Sequence, residues 1–207
     1  MKRRVQGQKF EGQTYDALDL SSMQGFGTSW VGCRFISCDL AGSDLRNSNF
    51  DSCHFFECDL MLANFSGGSQ LRHVTFEGCR MKQSVFAGVH PIDDVSFRAC
   101  QLHYSSFLDS TVRSISFLDS NLHGADLRFI ECAEAEFQRS VLWNASVQLG
   151  CQFLGTQNTF DSRSADLFVG MVARLHPSEE KRAILAEIAG EEMRVVERLM
   201  SPSTETE

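Results

Sequence analysis

A large residue, almost always apolar, returns at every fifth position over most of this 207-residue chain, and that period admits few folds. The series runs Phe10, Tyr15, Leu20, Gly25, Trp30, Phe35, Leu40, Leu45, Phe50, Phe55, Leu60 and Phe65, interrupted only by the glycine. One extra residue later it resumes at Leu71, Phe76, Met81 and Phe86. A second extra residue precedes Ile92, Phe97, Leu102, Phe107, Val112, Phe117, Leu122, Leu127, Cys132, Phe137, Leu142 and Val147, and Phe153 follows a third. A helix repeats its face about every 3.6 residues and a flat strand about every second residue. A sustained period of five therefore requires short extended steps separated by a regular bend.

If four steps close one turn, residues about 20 apart stack in columns and share chemistry, at the spacing of paired strands. The second column reads Tyr15, Phe35, Phe55, Phe76, Phe97, Phe117, Phe137, all aromatic; the third reads Leu20, Leu40, Leu60, Met81, Leu102, Leu122, Leu142. Positions two residues earlier face the same interior and are small or compact. Behind the third column stand Leu18, Cys38, Cys58, Cys79, Cys100, Ser120 and Ser140, and behind the fourth Met23, Ser43, Ala63, Ser84, Ser105, Ala125 and Ala145. The three insertions all fall between the fourth side of one turn and the first side of the next, each with glycine: Gly67 and Gly68, Gly88, and Gly150. Gly25 at a large position and Leu18 at a small one predict an imperfect first turn.

Segments such as Cys38-Asp39-Leu40-Ala41-Gly42, Ser43-Asp44-Leu45-Arg46-Asn47 and Ala125-Asp126-Leu127 resemble the pentapeptide repeat: small, Asp or Asn, Leu or Phe, polar, often Gly. The resemblance covers roughly residues 8–155 and implies an all-β solenoid, a right-handed quadrilateral β-helix occupying residues 1–155. From Ser162 the spacing changes. Leu167, Phe168, Met171, Val172 and Leu175 fall on one helical face, Pro177 interrupts, and Ile184, Leu185, Ile188, Val195, Val196 and Leu199 form a second stripe. Residues 156–200 are expected to be a C-terminal α-helical segment that caps the open last turn, and 201–207 a disordered tail. In the pentapeptide-repeat subgroup that protects bacterial DNA gyrase, such segments also join two monomers tail to tail. The resemblance thus implies a homodimer through Leu167, Phe168, Met171, Val172, Leu175, Ile184, Leu185 and Ile188.

The formal net charge is −8, with 11 acids and 10 bases in residues 1–100, 8 and 4 in 101–170, and 8 and 5 in 171–207. Such a surface disfavours direct nucleic-acid binding, which needs clustered Lys and Arg, but suits a protein that binds where nucleic acid binds. No apolar run approaches a membrane span and no signal-peptide core follows Met1-Lys2-Arg3-Arg4, so a cytoplasmic location is expected. Seven of eight cysteines, Cys33, Cys38, Cys53, Cys58, Cys79, Cys100 and Cys151, occupy small inward positions, and Cys132 a large one. They read as core packing rather than zinc ligands or disulfides. The six histidines show no metal-ligand spacing, and His90, nominally inward beside Pro91, reads as part of a bulge. No nucleophile, phosphate loop or dinucleotide motif is present, so neither catalysis nor a cofactor is expected.

Outward positions give the candidate partner-binding residues. On the first side Asp51, Asp93, Asp94, Glu131 and Glu134 accompany Arg72 and Arg113; among outward apolar residues, Phe56, Met61 and Leu62 are the best docking candidates and Ile36, Leu118, Phe129 and Trp143 the others. Family resemblance implies a mimic of duplex DNA that binds DNA gyrase or topoisomerase IV and modulates or protects it, conferring resistance to quinolones or a peptide toxin. The alternative is a structural or protein-recruiting scaffold without a topoisomerase target.

Overall fold

The computed structural model describes residues 4–128, 130–142, 145–147 and 153–154, and within them every strand pairing is parallel. The strands are β1 (Lys9–Glu11), β2 (Thr14–Asp16), β3 (Ser29–Val31), β4 (Arg34–Ile36), β5 (Asn49–Asp51), β6 (His54–Phe56), β7 (Gln70–Glu77), β8 (Ile92–Arg98), β9 (Thr111–Leu118), β10 (Asp126–Leu127), β11 (Glu131–Gln138), β12 (Ser146–Val147) and β13 (Phe153–Leu154). The first side stacks in the order β1-β3-β5-β7-β8-β9-β11-β13. β2, β4 and β6 form the second side and join it at β7, which spans both. Single-residue bridges complete the other two sides. Asp19, Asp39, Asp59, Arg80, Gln101, Asn121 and Val141 form the third, and Arg4, Gln24, Asp44, Asn64, Val85, Ser106 and Asp126 the fourth. The described residues therefore form an all-β parallel solenoid with four ladders per turn.

The bend follows from backbone conformation. From Gly7 to Asp109 about every fifth residue takes a left-handed φ, in four corner series such as Ala17, Ser37, Glu57, Gly78, Ala99, Asp119 and Arg139, with φ between 48° and 64°. Just before the third- and fourth-side corners, the Asp or Asn preceding the large residue closes the turn. Its side-chain oxygen accepts the amide two residues on, from Ser21 to Asp19 (3.0 Å), Ala41 to Asp39 (2.9 Å), Met61 to Asp59 (3.0 Å), Ser66 to Asn64 (2.9 Å) and His123 to Asn121 (3.0 Å). This local bond is what these two residue types do better than others.

The interior is as the columns predict. Phe35, Phe55, Phe76, Phe97, Phe117 and Phe137 stack face to face at 4.6 to 5.1 Å, as do Phe65, Phe86 and Phe107 at 4.8 Å. The two stacks meet edge to face, for example Phe86 and Phe97 at 5.8 Å and 82°. The edge-to-face geometry suits the ring quadrupole, and burying each ring contributes about 1.5–3 kcal/mol. Six cysteines, Cys33, Cys38, Cys53, Cys58, Cys79 and Cys100, are buried and reduced. Cys58, Cys79 and Cys100 each point the thiol at the carbonyl two residues before and at one on the preceding turn, at 3.3 to 3.5 Å. Ser120 continues the column, donating to Phe97 O (3.2 Å) or Leu118 O (3.1 Å) while accepting the Cys100 amide (3.1 Å).

Three local expectations are refined. In the first turn, Met23 (buried) fills the volume that Gly25 leaves: a Cβ on Gly25 would lie 3.5 Å from the Met23 terminal methyl and 3.0 Å from Leu45 Cδ2. At the second insertion Val89 is buried and His90 exposed, because the extra residue shifts the inward place back by one. In the last turn the period implies Phe153 over Cys132, but β13 pairs Phe153 with Ala135. The register thereby slips by three residues. Cys151, the helical stripes and the tail lie outside the described residues.

Candidate interaction surface

The outward residues of the first side alternate in charge. Asp51 is in register between Val31 and Arg72, Arg72 pairs with Asp93, and Arg113 Nη1 lies 3.6 Å from Asp93 Oδ2. Asp94 occupies the following corner (φ 52°) and its amide donates to Ser114 Oγ at 3.0 Å. Glu131 and Glu134 are registered on Thr111 and Ser114 of β9. Arginine thus separates Asp51 from Asp93 on this side. Elsewhere arginine partners carboxylates in the same way: Asp44 with Arg46, Asp119 with Arg139 and Asp126 with Arg128, at 2.6 to 2.8 Å. Hydrogen bonds from those guanidinium groups hold the three carboxyls below the usual range.

A run of like charge occurs instead on the third side, where Asp19, Asp39 and Asp59 are bridged rung to rung and Arg80 ends the series with a salt bridge to Asp59. These three were legible at 20-residue spacing but were absorbed into the repeat motif. Strands in register lie about 4.8 Å apart, so the ladder is a close line of carboxylates.

The apolar candidates fall on different sides. Phe56 is half-buried on the second side in register with Ile36, and His54 meets its ring edge-on at 6.3 Å. Met61 is half-buried on the third side. Leu62 forms the next corner, 57% exposed at φ 58°. Left-handed backbone is unfavourable for such a residue, and neighbours in this corner series, Gly42 and Gly124, avoid the strain. Tyr104 repeats the pattern two turns on, 50% exposed at φ 57°. Ile36 and Leu118 are half-buried; Phe129, Trp143 and all eight dimerisation candidates lie outside the described residues. A further exposed ring, Phe26, sits under the Arg46 guanidinium at 5.9 Å. Among the described residues no three His, Cys, Asp or Glu side chains converge as a metal site, and no helix is long and apolar enough to cross a membrane.

Residues 28–91 match a family model described as a pentapeptide repeat region. Over those residues the chain carries pentapeptide repeats. No curated protein matches it. Among solved pentapeptide-repeat and related structures, it is similar to full-length QnrB1, described as a plasmid-mediated fluoroquinolone resistance protein. That match has 17% identity and a TM-score of 0.31, covering 84% of this chain and 100% of that one. It is also similar to HetL of the cyanobacterium Nostoc, described as involved in heterocyst differentiation regulation, at 13% identity and a TM-score of 0.27 over 77% of this chain and 87% of that one.

Proposed function

We propose that this pentapeptide-repeat protein is a DNA-mimicking rod that binds a type II topoisomerase, DNA gyrase or topoisomerase IV, and modulates or protects it against quinolones or a gyrase-directed toxin. The observation that carries this reading is the third-side ladder of Asp19, Asp39 and Asp59 on a continuous solenoid. Carboxylates about 4.8 Å apart along a rigid axis approximate the line of phosphates that a DNA-binding groove attracts, where each strand presents one phosphate per about 3.4 Å. The net charge of −8 adds long-range attraction to a basic groove. A C-terminal homodimer, formed through the stripe beginning at Leu167, would present two such ladders to the two halves of a symmetric enzyme.

A second reading, a protein-recruiting scaffold, is favoured by the mixed-charge first side with Asp51, Arg72, Asp93 and Arg113, which suits a partner of mixed charge better than a uniformly basic groove. Supercoiling by purified gyrase, with and without a quinolone, separates the two. The DNA-mimic reading requires the protein to alter the activity in at least one setting, and the triple variant Asp19→Asn, Asp39→Asn, Asp59→Asn to act at least about tenfold more weakly, an effect of screened charge at close range. No effect of the parent protein in either setting would leave the scaffold.

A further inference from the structure

We propose that His103 and His123 form a surface site for a divalent transition-metal ion, with Tyr104 orienting one of the two imidazoles. The 20-residue offset hides this pair in the sequence; the third-side ladder creates it by bridging Gln101 to Asn121, so that the residues two further on stand on adjacent rungs. The imidazole centroids are 6.4 Å apart and tilted by 53°. An ion sits about 2.0–2.1 Å from each ligating nitrogen, and each nitrogen about 1.1 Å from its ring centre, so two imidazoles on one ion have centroids no more than roughly 6.4 Å apart. The pair already stands at that limit.

Two further features are built around the pair. His123 Nε2 lies 3.2 Å from the Tyr104 hydroxyl, with the rings edge to face at 5.3 Å. In the tautomer whose Nε2–H donates to that oxygen, Nδ1 keeps its lone pair for an ion. Metal-binding histidines commonly hold such an outer hydrogen bond. Tyr104 is in turn seated by Gly124, since a Cβ there would fall 2.5 Å from two carbons of the tyrosine ring. The tyrosine accepts a left-handed φ and half exposure in this place, where it serves no core packing. With two imidazole ligands the remaining coordination positions fall to water, and the order of affinities places Cu(II) above Ni(II) and Zn(II).

The proposal is independent of the topoisomerase reading. It is tested on the full chain by titration with Cu(II), followed by electron paramagnetic resonance, and with Zn(II) by calorimetry. The expected result is a site with hyperfine splitting from two nitrogens. His103→Gln or His123→Gln should weaken it at least tenfold, and Tyr104→Phe should weaken it by a similar factor through loss of the outer hydrogen bond. His54→Gln, on the second side, should leave it unchanged, and circular dichroism of each variant verifies the coil. Binding that survives in the His103→Gln, His123→Gln double variant, or a spectrum without the two-nitrogen signature, would overturn the assignment.

Discussion

Replacing Phe97 with alanine should cost far more than the same change at Phe10, although the repeat treats the two positions alike. Phe97 is fully buried, stacked on Phe76 at 4.9 Å and Phe117 at 5.1 Å, with Phe86 and Phe107 edge-on at 5.8 and 5.7 Å. Phe10 is half-buried at the end of the coil, stacked on Trp30 at 4.1 Å and edge-on to Tyr15 at 6.5 Å. Removing a core phenylalanine costs about 3–5 kcal/mol, the upper part of that range applying where neighbours cannot collapse. Four surrounding rings fixed by their own stacks cannot close the void, so Phe97→Ala is set at about 4–5 kcal/mol. Half the burial and one open face set Phe10→Ala at about 1–2 kcal/mol. Urea denaturation followed by circular dichroism measures both. Because rungs contact only their neighbours, Phe97→Ala should also broaden the transition as the two halves of the coil uncouple. A loss below about 2 kcal/mol at Phe97, or equal losses at the two sites, would refute the ladder energetics argued from these ring geometries.

The hydroxyls of Ser84 and Ser105 are buried without a partner, so Ser84→Ala or Ser105→Ala should be neutral or raise stability by up to about 1 kcal/mol, whereas Ser120→Ala, which removes bonds to Phe97, Leu118 and Cys100, should lower it by about 1–2 kcal/mol in the same denaturation assay. Burial pushes the Cys53 thiol up to about 12, and contact with the Cys100 thiol does the same for Cys79. A group whose pKa is raised on folding gives stability that is whole below its unfolded value. The urea midpoint should therefore hold to about pH 8.5 and fall between about pH 9 and 12, by up to ~1.4 kcal/mol per thiol per pH unit. At pH 8 the six described thiols should react slowly with a disulfide reagent until urea is added, and native labelling as fast as in urea would contradict their place in the core.

Much of this architecture was legible because the columns are a one-dimensional consequence of a fixed repeat length. Once residues 20 or 21 apart share a rung, the pairings of Phe55 with Phe76 and of Phe76 with Phe97 follow. Local volume exchange was not legible: Gly25 breaks the period in the sequence, yet Met23 reaches into its space. Nor was the shift at Val89, where one extra residue has two ways to be absorbed. The surface was harder for a different reason. Residues far apart in the chain, such as His103 and His123, become neighbours only after the register is fixed, and familiar ligand spacings are those of helices and hairpins. The acids of the first side could be named, but their alternation with Arg72 and Arg113 emerges only when the rungs are aligned.

The Asp of each repeat has two separable roles, and their separation gives the third-side ladder its weight. As a turn former it needs only a side-chain oxygen, since Asn64 and Asn121 accept the same amide at 2.9 and 3.0 Å that Asp39 and Asp59 accept at 2.9 and 3.0 Å. The fold therefore does not require a carboxylate at any of these positions. Three carboxylates stacked on one ladder repel one another, and like charges directly opposite on neighbouring strands destabilise a sheet. Asparagine would keep the turn and remove the repulsion. The turn thus leaves the charge at Asp39 and Asp59 free to serve another end, and Arg80 meets that of Asp59 as Arg113 and Arg128 meet those of Asp93 and Asp126. The asparagine variants keep the turn and differ in charge, so they separate the two roles and are the decisive ones for the proposed function.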